Sequence, residues 1–306
     1  MRTAEMAEGK WHGIIPRYGC DESFLKNRHG PCPMCGGKDR FRFDNKQGRG
    51  TWICNQCGSG DGFDLIQRIT GMTFSEIAKE IDGISGKIEA VRVRTVDYDA
   101  NRKRLRATAG KLKKVQNGDP VDLYLKSRGI KFAPDCIKIH PGMNYYEEGK
   151  MVGQFPAMVS LVSDGEAVTY HVVYLTNDGK KADVSACKKI LPPVKPLDGA
   201  CVRIGGDSDA ISIAEGVETA LAIHSYSGKP CWSALSSGNL EKFIVPAGCN
   251  HVTIYADNDE SYTGQKSAYT LAAKIKKSGV DCEVLIPPIT GEDYCDVIAR
   301  YRQNEK

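Results

Sequence analysis

Two groups of residues in this chain have the types and spacing to do chemistry. The first is Cys32-x2-Cys35 and, eighteen residues on, Cys54-x2-Cys57. Two such knuckles joined by a hairpin-length insert supply four thiolates to one tetrahedral zinc. A redox CxxC pair would account for one knuckle and leave the other unexplained. With four sulfurs the shell is closed, so this zinc is structural and its binding energy folds a module with little core of its own. His29, three residues ahead of the first knuckle, is a competing ligand but is surplus to the four sulfurs. The second group is acidic. Glu215 ends the run ISIAE, and Asp257 with Asp259 ends HVTIYADND. In extended chain, residues two apart point to one side, so this DxD could share a hard cation, with Glu215 from a neighbouring strand completing the cluster. Carboxylates packed so closely repel unless a divalent ion neutralises them. Magnesium or manganese suits them, and two ions would clamp the attacking and leaving oxygens of a phosphoryl transfer.

The elements that must position these residues can be read from the apolar pattern. Arg40-Phe41-Arg42-Phe43 alternates as a strand, and Thr51-Trp52-Ile53 begins a second one after a Gly-rich turn. Lys38, Arg40, Arg42, Lys46 and Arg49 ring this hairpin, while Phe41, Phe43 and Trp52 lie on its other face. Aromatic platforms beside cations suit single-stranded nucleic acid, with Arg40, Arg42, Phe43, Lys46 and Trp52 as the contact set. The same rings would equally make the ribbon's own core, and the two readings stand side by side. Asp61 caps a helix that ends at Gly71; Phe74, Ile77, Ala78 and Ile81 mark another. Pro120–Ser127 is helical, and residues 134–196 are strand-like with a hairpin at Asn177-Asp178-Gly179. From Gly205 onward, short apolar runs alternate with helical patterns, the rhythm of a parallel sheet with crossover helices. Ligands of such sheets bind beyond the carboxyl ends of the strands, where the acids fall.

Composition sets the bounds. The chain has 306 residues, 41% of them hydrophobic, with a formal net charge of +4. That length accommodates more than one domain. No apolar run approaches membrane-spanning length and the N-terminus lacks a secretion signal, so a cytoplasmic protein without membrane contact is expected. In that reducing compartment the twelve cysteines are no disulfide framework. Charge is uneven: residues 86–114 hold ten basic residues against three acids, Arg92 and Arg94 among them. A positive connector of this kind favours polyanions, although a solvated linker with no ligand has the same composition. No GxxxxGK[ST] loop occurs, so an NTP-driven helicase motor would have to come from a separate polypeptide or from a longer protein of which this is a fragment.

These residues also carry a family resemblance. EGVETALAI, ALSSGNL, YADNDESYTGQKSA and GEDYCDVI resemble the successive blocks of a Toprim domain. The four-cysteine unit upstream resembles the zinc ribbon of bacteriophage- and plasmid-type primases and primase-helicases. The similarity keeps the same order from Pro31 to Ile298, and YLKSRGI and GKKADVSACKKIL resemble the basic half of that family's catalytic core. The implied architecture is α/β and multidomain: a zinc ribbon with packing helices over 1–82, a basic linker over 83–117, an α+β subdomain over 118–204 and a mainly parallel Toprim domain over 205–306. The implied activity is DNA-templated synthesis of short RNA primers from ribonucleoside triphosphates on single-stranded DNA, beside a separate replicative helicase. By position, Glu215 is the family's acid or base and metal organiser, Asp257 and Asp259 are the metal pair, and Asp293 is a third acid with Asp296 as helper or substitute. Many primases place an acid four residues after the glutamate, where this chain has Thr219; adjacent Glu218 is the stand-in. Lys180, Lys181, Lys188 and Lys189 would be phosphate ligands. Two other outcomes remain: a Toprim-type metal nuclease, and a zinc-ribbon adaptor that binds single strands without catalysis. A topoisomerase would need a strand-passage domain for which no segment is large enough.

Overall fold

The computed structural model describes residues 3–90, 96–147 and 149–304. Arg92 and Arg94 lie outside them. The chain divides into two compact units, Met1–Val96 and Asp97–Lys306.

Unit 1 opens with two short helices, α1 (Thr3–Ala7) and α2 (Trp11–Ile14), for which four- and five-residue segments leave no periodic signal in the sequence. A four-stranded antiparallel sheet follows in the order β1 (Gly30–Cys32), β2 (Gly36–Phe43), β3 (Trp52–Cys54), β4 (Gly58–Gly60). Helix α3 (Gly62–Thr70) starts at Asp61, whose side chain accepts from the Asp64 N–H, and stops at Gly71, where φ is +74°. Helix α4 (Phe74–Ile84) begins with a Thr73–Glu76 capping box. The helices and the sheet close on one core containing Trp11, Phe41, Phe43, Trp52, Leu65, Ile66, Ile77 and Ile81. Gly62 is required there, because a Cβ would lie 2.2 Å from the Trp11 ring.

Unit 2 begins with α5 (Tyr98–Ala109), inside the segment expected to be a linker. Asp97 caps it by accepting from the Ala100 N–H, and the buried Asn101 donates 2.8 Å to the Pro193 carbonyl. Leu105 packs on an apolar cluster of the unit, and Lys113 pairs with Ile139 across a β-bridge. From Asp97 onward, therefore, the basic segment is ordered structure of unit 2; its cap and inward-facing residues outweigh its charge. Helix α6 (Pro120–Ser127) leads into an antiparallel sheet, β5 (Ile137–Glu147), β6 (Lys150–Ser163), β7 (Ala167–Tyr174) and β8 (Lys188–Ile190). The expected turn lies between β7 and β8, with Thr176 N–H donating to the Lys180 carbonyl and Gly179 at φ +76°.

The second sheet of unit 2 holds β9 (Val202–Ile204), β10 (Ala210–Ala214), β11 (Cys231–Ser233), β12 (His251–Tyr255) and β13 (Asp281–Leu285) in the order β13-β12-β10-β11-β9. All its pairings are parallel except that of edge strand β9. Its helices are α7 (Val217–Ser227), α8 (Ser237–Leu240), α9 (Thr263–Lys277) and α10 (Tyr294–Asn304). Helix α7 is buried on every side from Val217 to Ile223. One apolar core surrounds it, joining Tyr124, Met158 and Val173 from the antiparallel half to Ala214, Leu221, Cys295 and Ile298 from the parallel half.

Candidate functional site

In unit 1 the four thiols of Cys32, Cys35, Cys54 and Cys57 lie within 4.8 Å of one another. Cys32 Sγ is 3.9 Å from Cys57 Sγ, and Cys35 Sγ is 3.7 Å from Cys54 Sγ. A zinc tetrahedron with Zn–S bonds of about 2.3 Å has edges of about 3.8 Å, so the set fits that ion. Backbone N–H groups of Met34 and Cys57 point at Cys32 Sγ and Cys54 Sγ, both at 3.4 Å, as donors that stabilise thiolate. Burial raises the Cys54 thiol, but the backbone donors and neighbouring thiols outweigh it and hold the group at about 7. His29 stands apart, exposed, with its Nδ1 at 3.0 Å from the Asp39 carbonyl.

The aromatic faces are not available for stacking. Phe41, Phe43 and Trp52 are 1–2% exposed. Phe41 stacks on Trp52 with centroids 5.9 Å apart, and the indole N–H of Trp52 donates to the Asp61 carbonyl. Phe43 and Trp52 thus serve the core, in one cluster with Trp11, Phe63, Leu65 and Ile66. The cations stay at the surface: Arg40 bonds the Gln56 side chain, while Arg42 and Lys46 lie 3.7 and 3.3 Å from Asp44.

In unit 2, a cleft of about 310 Å³ forms between the two sheets. Strands β10 and β12 are parallel neighbours, so their carboxyl ends share an edge. Glu215 follows β10 directly, Asp257 lies two residues past β12, and Asp293 precedes α10; all three line the cleft. Asp257 Oδ1 is buried without a hydrogen-bond partner. Burial, then the charges of Glu215, Asp293, Asp259 and Asp296, push the Asp257 carboxyl up to about 7. Burial and Asp259 likewise raise Glu215. An orphaned buried carboxylate oxygen among other hard oxygen donors fits a divalent cation.

The remaining acids are placed otherwise. Among the described residues the four cysteines form the one group of metal-ligating side chains already gathered around a common point. The chain leaves the extended conformation after Tyr255, yet Asp259 stays near enough for its charge to raise both Asp257 and Glu215. Its Oδ2 accepts from the Gly264 N–H at 2.9 Å, in the first turn of α9. Asp293 Oδ1 accepts from the N–H groups of Cys295 and Asp296, and Asp296 returns a bond to the Asp293 N–H; Asp296 lines a different cavity.

The opposite wall is cationic. Lys188 Nζ is 2.7 Å from Glu218 Oε1, which also accepts from the Tyr124 hydroxyl at 2.8 Å. Burial alone would raise Glu218; Lys188 and Tyr124 bring it down to about 2. Glu218 is therefore engaged with a lysine and is not a free metal ligand. Of the four lysines, Lys188 alone lines the cleft. Lys189 donates to the Tyr146 carbonyl and sits 3.6 Å over the Tyr145 ring, Lys180 pairs with Asp178 on the turn, and Lys181 is exposed beside it. Three contributors were not foreseen: Arg128, Tyr124 and His171. Arg128 and His171 line the cleft, and burial lowers the imidazole to about 4. YLKSRGI contained Arg128, but its direction depends on how α6 ends; β7 is buried along nearly its whole length, which erases the alternation that would have marked His171.

Residues 27–63 match the zinc-binding domain of primase-helicase, residues 99–204 a domain of unknown function (DUF7146), and residues 210–302 the Toprim domain. Among solved structures, the Aquifex aeolicus primase (zinc-binding and RNA polymerase domains) is similar at 17% identity and TM-score 0.42, over 99% of this chain and 83% of that one. The primase fragment of the bacteriophage T7 primase-helicase is similar at 14% identity and TM-score 0.38, over 91% and 96%. A DnaG primase catalytic domain bound to single-stranded DNA is similar at 11% identity and TM-score 0.45, over 66% and 76%. The chain joins the zinc-binding domain of primase-helicases to a Toprim domain, and its four cysteines are positioned to hold zinc.

Proposed function

We propose that this protein is a DNA primase: a nucleotidyltransferase that copies single-stranded DNA into short RNA primers from ribonucleoside triphosphates. The observation that carries the reading is the cleft in which Glu215, Asp257 and Asp293 face Arg128 and Lys188. Acids and cations on opposite walls match a reaction in which a polyphosphate is bound and split. Glu215, Asp257 and Asp293 would hold magnesium or manganese, two ions in the full complex, with Asp259 supporting from the head of α9. Such ions, when bound, neutralise phosphate charge and acidify a ribose hydroxyl.

The protein's own groups would do the rest. Lys188 and Arg128 offer charge to the triphosphate, and Lys188 exchanges its Glu218 contact for a phosphate oxygen. Arg128 holds a guanidinium fork suited to two oxygens. The 3′ oxygen forms its bond to the α-phosphorus, the bond from that phosphorus to the β-bridging oxygen breaks, the hydroxyl proton departs, and pyrophosphate leaves. Placement and charge neutralisation carry such a reaction. The half-buried Arg40 and Arg42 and the exposed Lys46 would contact the template backbone, and unwinding would fall to a separate helicase in the cytoplasm. Among the described residues no helix is long and apolar enough to cross a membrane.

The test supplies single-stranded template, ribonucleotides and magnesium. Template-dependent primers from the wild type, reduced at least a hundredfold by Asp257→Asn, support the proposal. Cleaved template without nucleotide incorporation would replace it with a nuclease, and unchanged primer yield in the variant would end it.

A further inference from the structure

A second and larger cleft of unit 2, about 570 Å³, opens between the end of α6 and helix α10. Lys126, Arg128, Lys131 and Arg302 line it, against one carboxylate, Asp296. The cations of this lining differ in how far their donors are already met. Asp296 is spent on the Asp293 N–H at the start of α10. Lys126 is likewise spent, on Asp122 and Asn117. Lys131, by contrast, has no ion-pair partner among the described residues. Arg302 donates through Nη2 to the Ser225 carbonyl, but its Nη1 is buried without an acceptor, and so is Nε of Arg128. Gly129 lies beside that nitrogen: a Cβ there would be 3.7 Å from Arg302 Nη1. A buried charged donor left unpaired favours any ligand that brings it an acceptor.

Two aromatic rings border the same region, and both face solvent. Tyr226 is 53% exposed with the Arg302 guanidinium 5.8 Å from its ring centroid. Phe132 is 49% exposed, next to Lys131 and edge-on to His224 at 5.7 Å. Cations with unmet donors beside exposed rings form a site for a phosphate with a base attached: guanidinium groups take phosphate oxygens in a fork, and rings take the base by stacking. The cleft volume lies in the range of small-molecule sites.

We propose that this cleft is a second nucleotide-binding site, apart from the carboxylate cleft, in which Arg302 and Lys131 hold phosphate and Tyr226 supports the base. The occupant is a phosphate-bearing nucleotide, either free or at the end of a strand. Arg128 borders both clefts, so a nucleotide here would lie next to the one in the carboxylate cleft.

The test uses the full zinc-loaded chain in buffer without magnesium, so that the carboxylate cleft has no metal to bind through. ATP, inorganic triphosphate, and a short oligonucleotide with and without a 5′ phosphate are titrated by calorimetry. Arg302→Gln should weaken ATP binding at least tenfold, and Lys131→Gln severalfold. Tyr226→Ala should weaken ATP but leave inorganic triphosphate unchanged. Tighter binding of the 5′-phosphorylated oligonucleotide than of ATP assigns the site to a strand end; the reverse order assigns it to free nucleotide. Equal affinities in wild type and both charge variants, or binding that appears only with magnesium, would overturn the proposal. Lys131→Gln alters an exposed loop, so it decides the matter should Arg302→Gln fail to fold. Either result leaves the primer-synthesis assay untouched, which separates failure here from failure of the primase reading.

Discussion

Asp257 is the residue on which the carboxylate cleft turns, because its environment disfavours its own charge. Its carboxyl sits at about 7, against an ordinary 3.8. The folded state thus binds more protons than the unfolded state between those values, and stability from this group falls as pH rises through about 4 to 7. His171, lowered to about 4 from 6.5, acts in the opposite sense, adding stability as pH rises through that window. Comparing Asp257→Asn with wild type isolates the first effect. In magnesium-free buffer the variant should melt at the same temperature near pH 4 and several degrees higher at pH 8, with the gap closing on addition of magnesium to the wild type. Calorimetry at four pH values would check this, and a constant gap would refute it. For the Lys188–Glu218 pair, Lys188→Ala leaves a buried carboxylate without its cation, whereas Glu218→Gln keeps a partner for Tyr124. The lysine variant should therefore lose more stability, by roughly 1–3 kcal/mol in urea unfolding. Glu215 and Asp257 were legible in sequence because strand ends announce themselves. Lys188 was reached through the resemblance, whereas Arg128 and His171 were missed because they come from the end of α6 and from β7, outside the parallel sheet.

At the scale of elements, legibility followed length and caps. The parallel strands declared themselves as apolar runs, α3 and α6 by Asp61 and Pro120 at their starts, and α4 by the spacing of Phe74, Ile77, Ala78 and Ile81. Helices α1 and α2 are too short to carry a period, and the cap of α5 was lost among arginines and lysines. The zinc ribbon illustrates how composition misleads: aromatic residues among cations look like a nucleic-acid face until their burial is known. Trp52→Ala should therefore unfold unit 1 rather than merely weaken template binding, measured by far-ultraviolet circular dichroism beside an affinity assay. Gly62→Ala should cost roughly 1–3 kcal/mol, since the added methyl meets the Trp11 ring. A thermal melt of the variant would check it, and an unchanged midpoint would mean that α2 moves aside freely.

At the scale of the whole molecule each unit has apolar clusters of its own among the described residues. One cluster belongs to residues 1–96 and three to residues 97–306. Stripping zinc with a strong chelator should therefore remove one calorimetric transition and leave the other within about a degree, whereas loss of both would show that the units fold together. Within unit 2, helix α7 has no free side over its first seven residues. Its first turn forms the floor beneath Glu215 and Lys188, and its last turn presents Ser225 and Tyr226 to Arg302. An eleven-residue rod, about 16 Å long and clamped along most of its length, has no slack to absorb a push. The two clefts thus share one stiff wall, and a ligand that shifts Tyr226 should alter the rate of primer synthesis measured at the other.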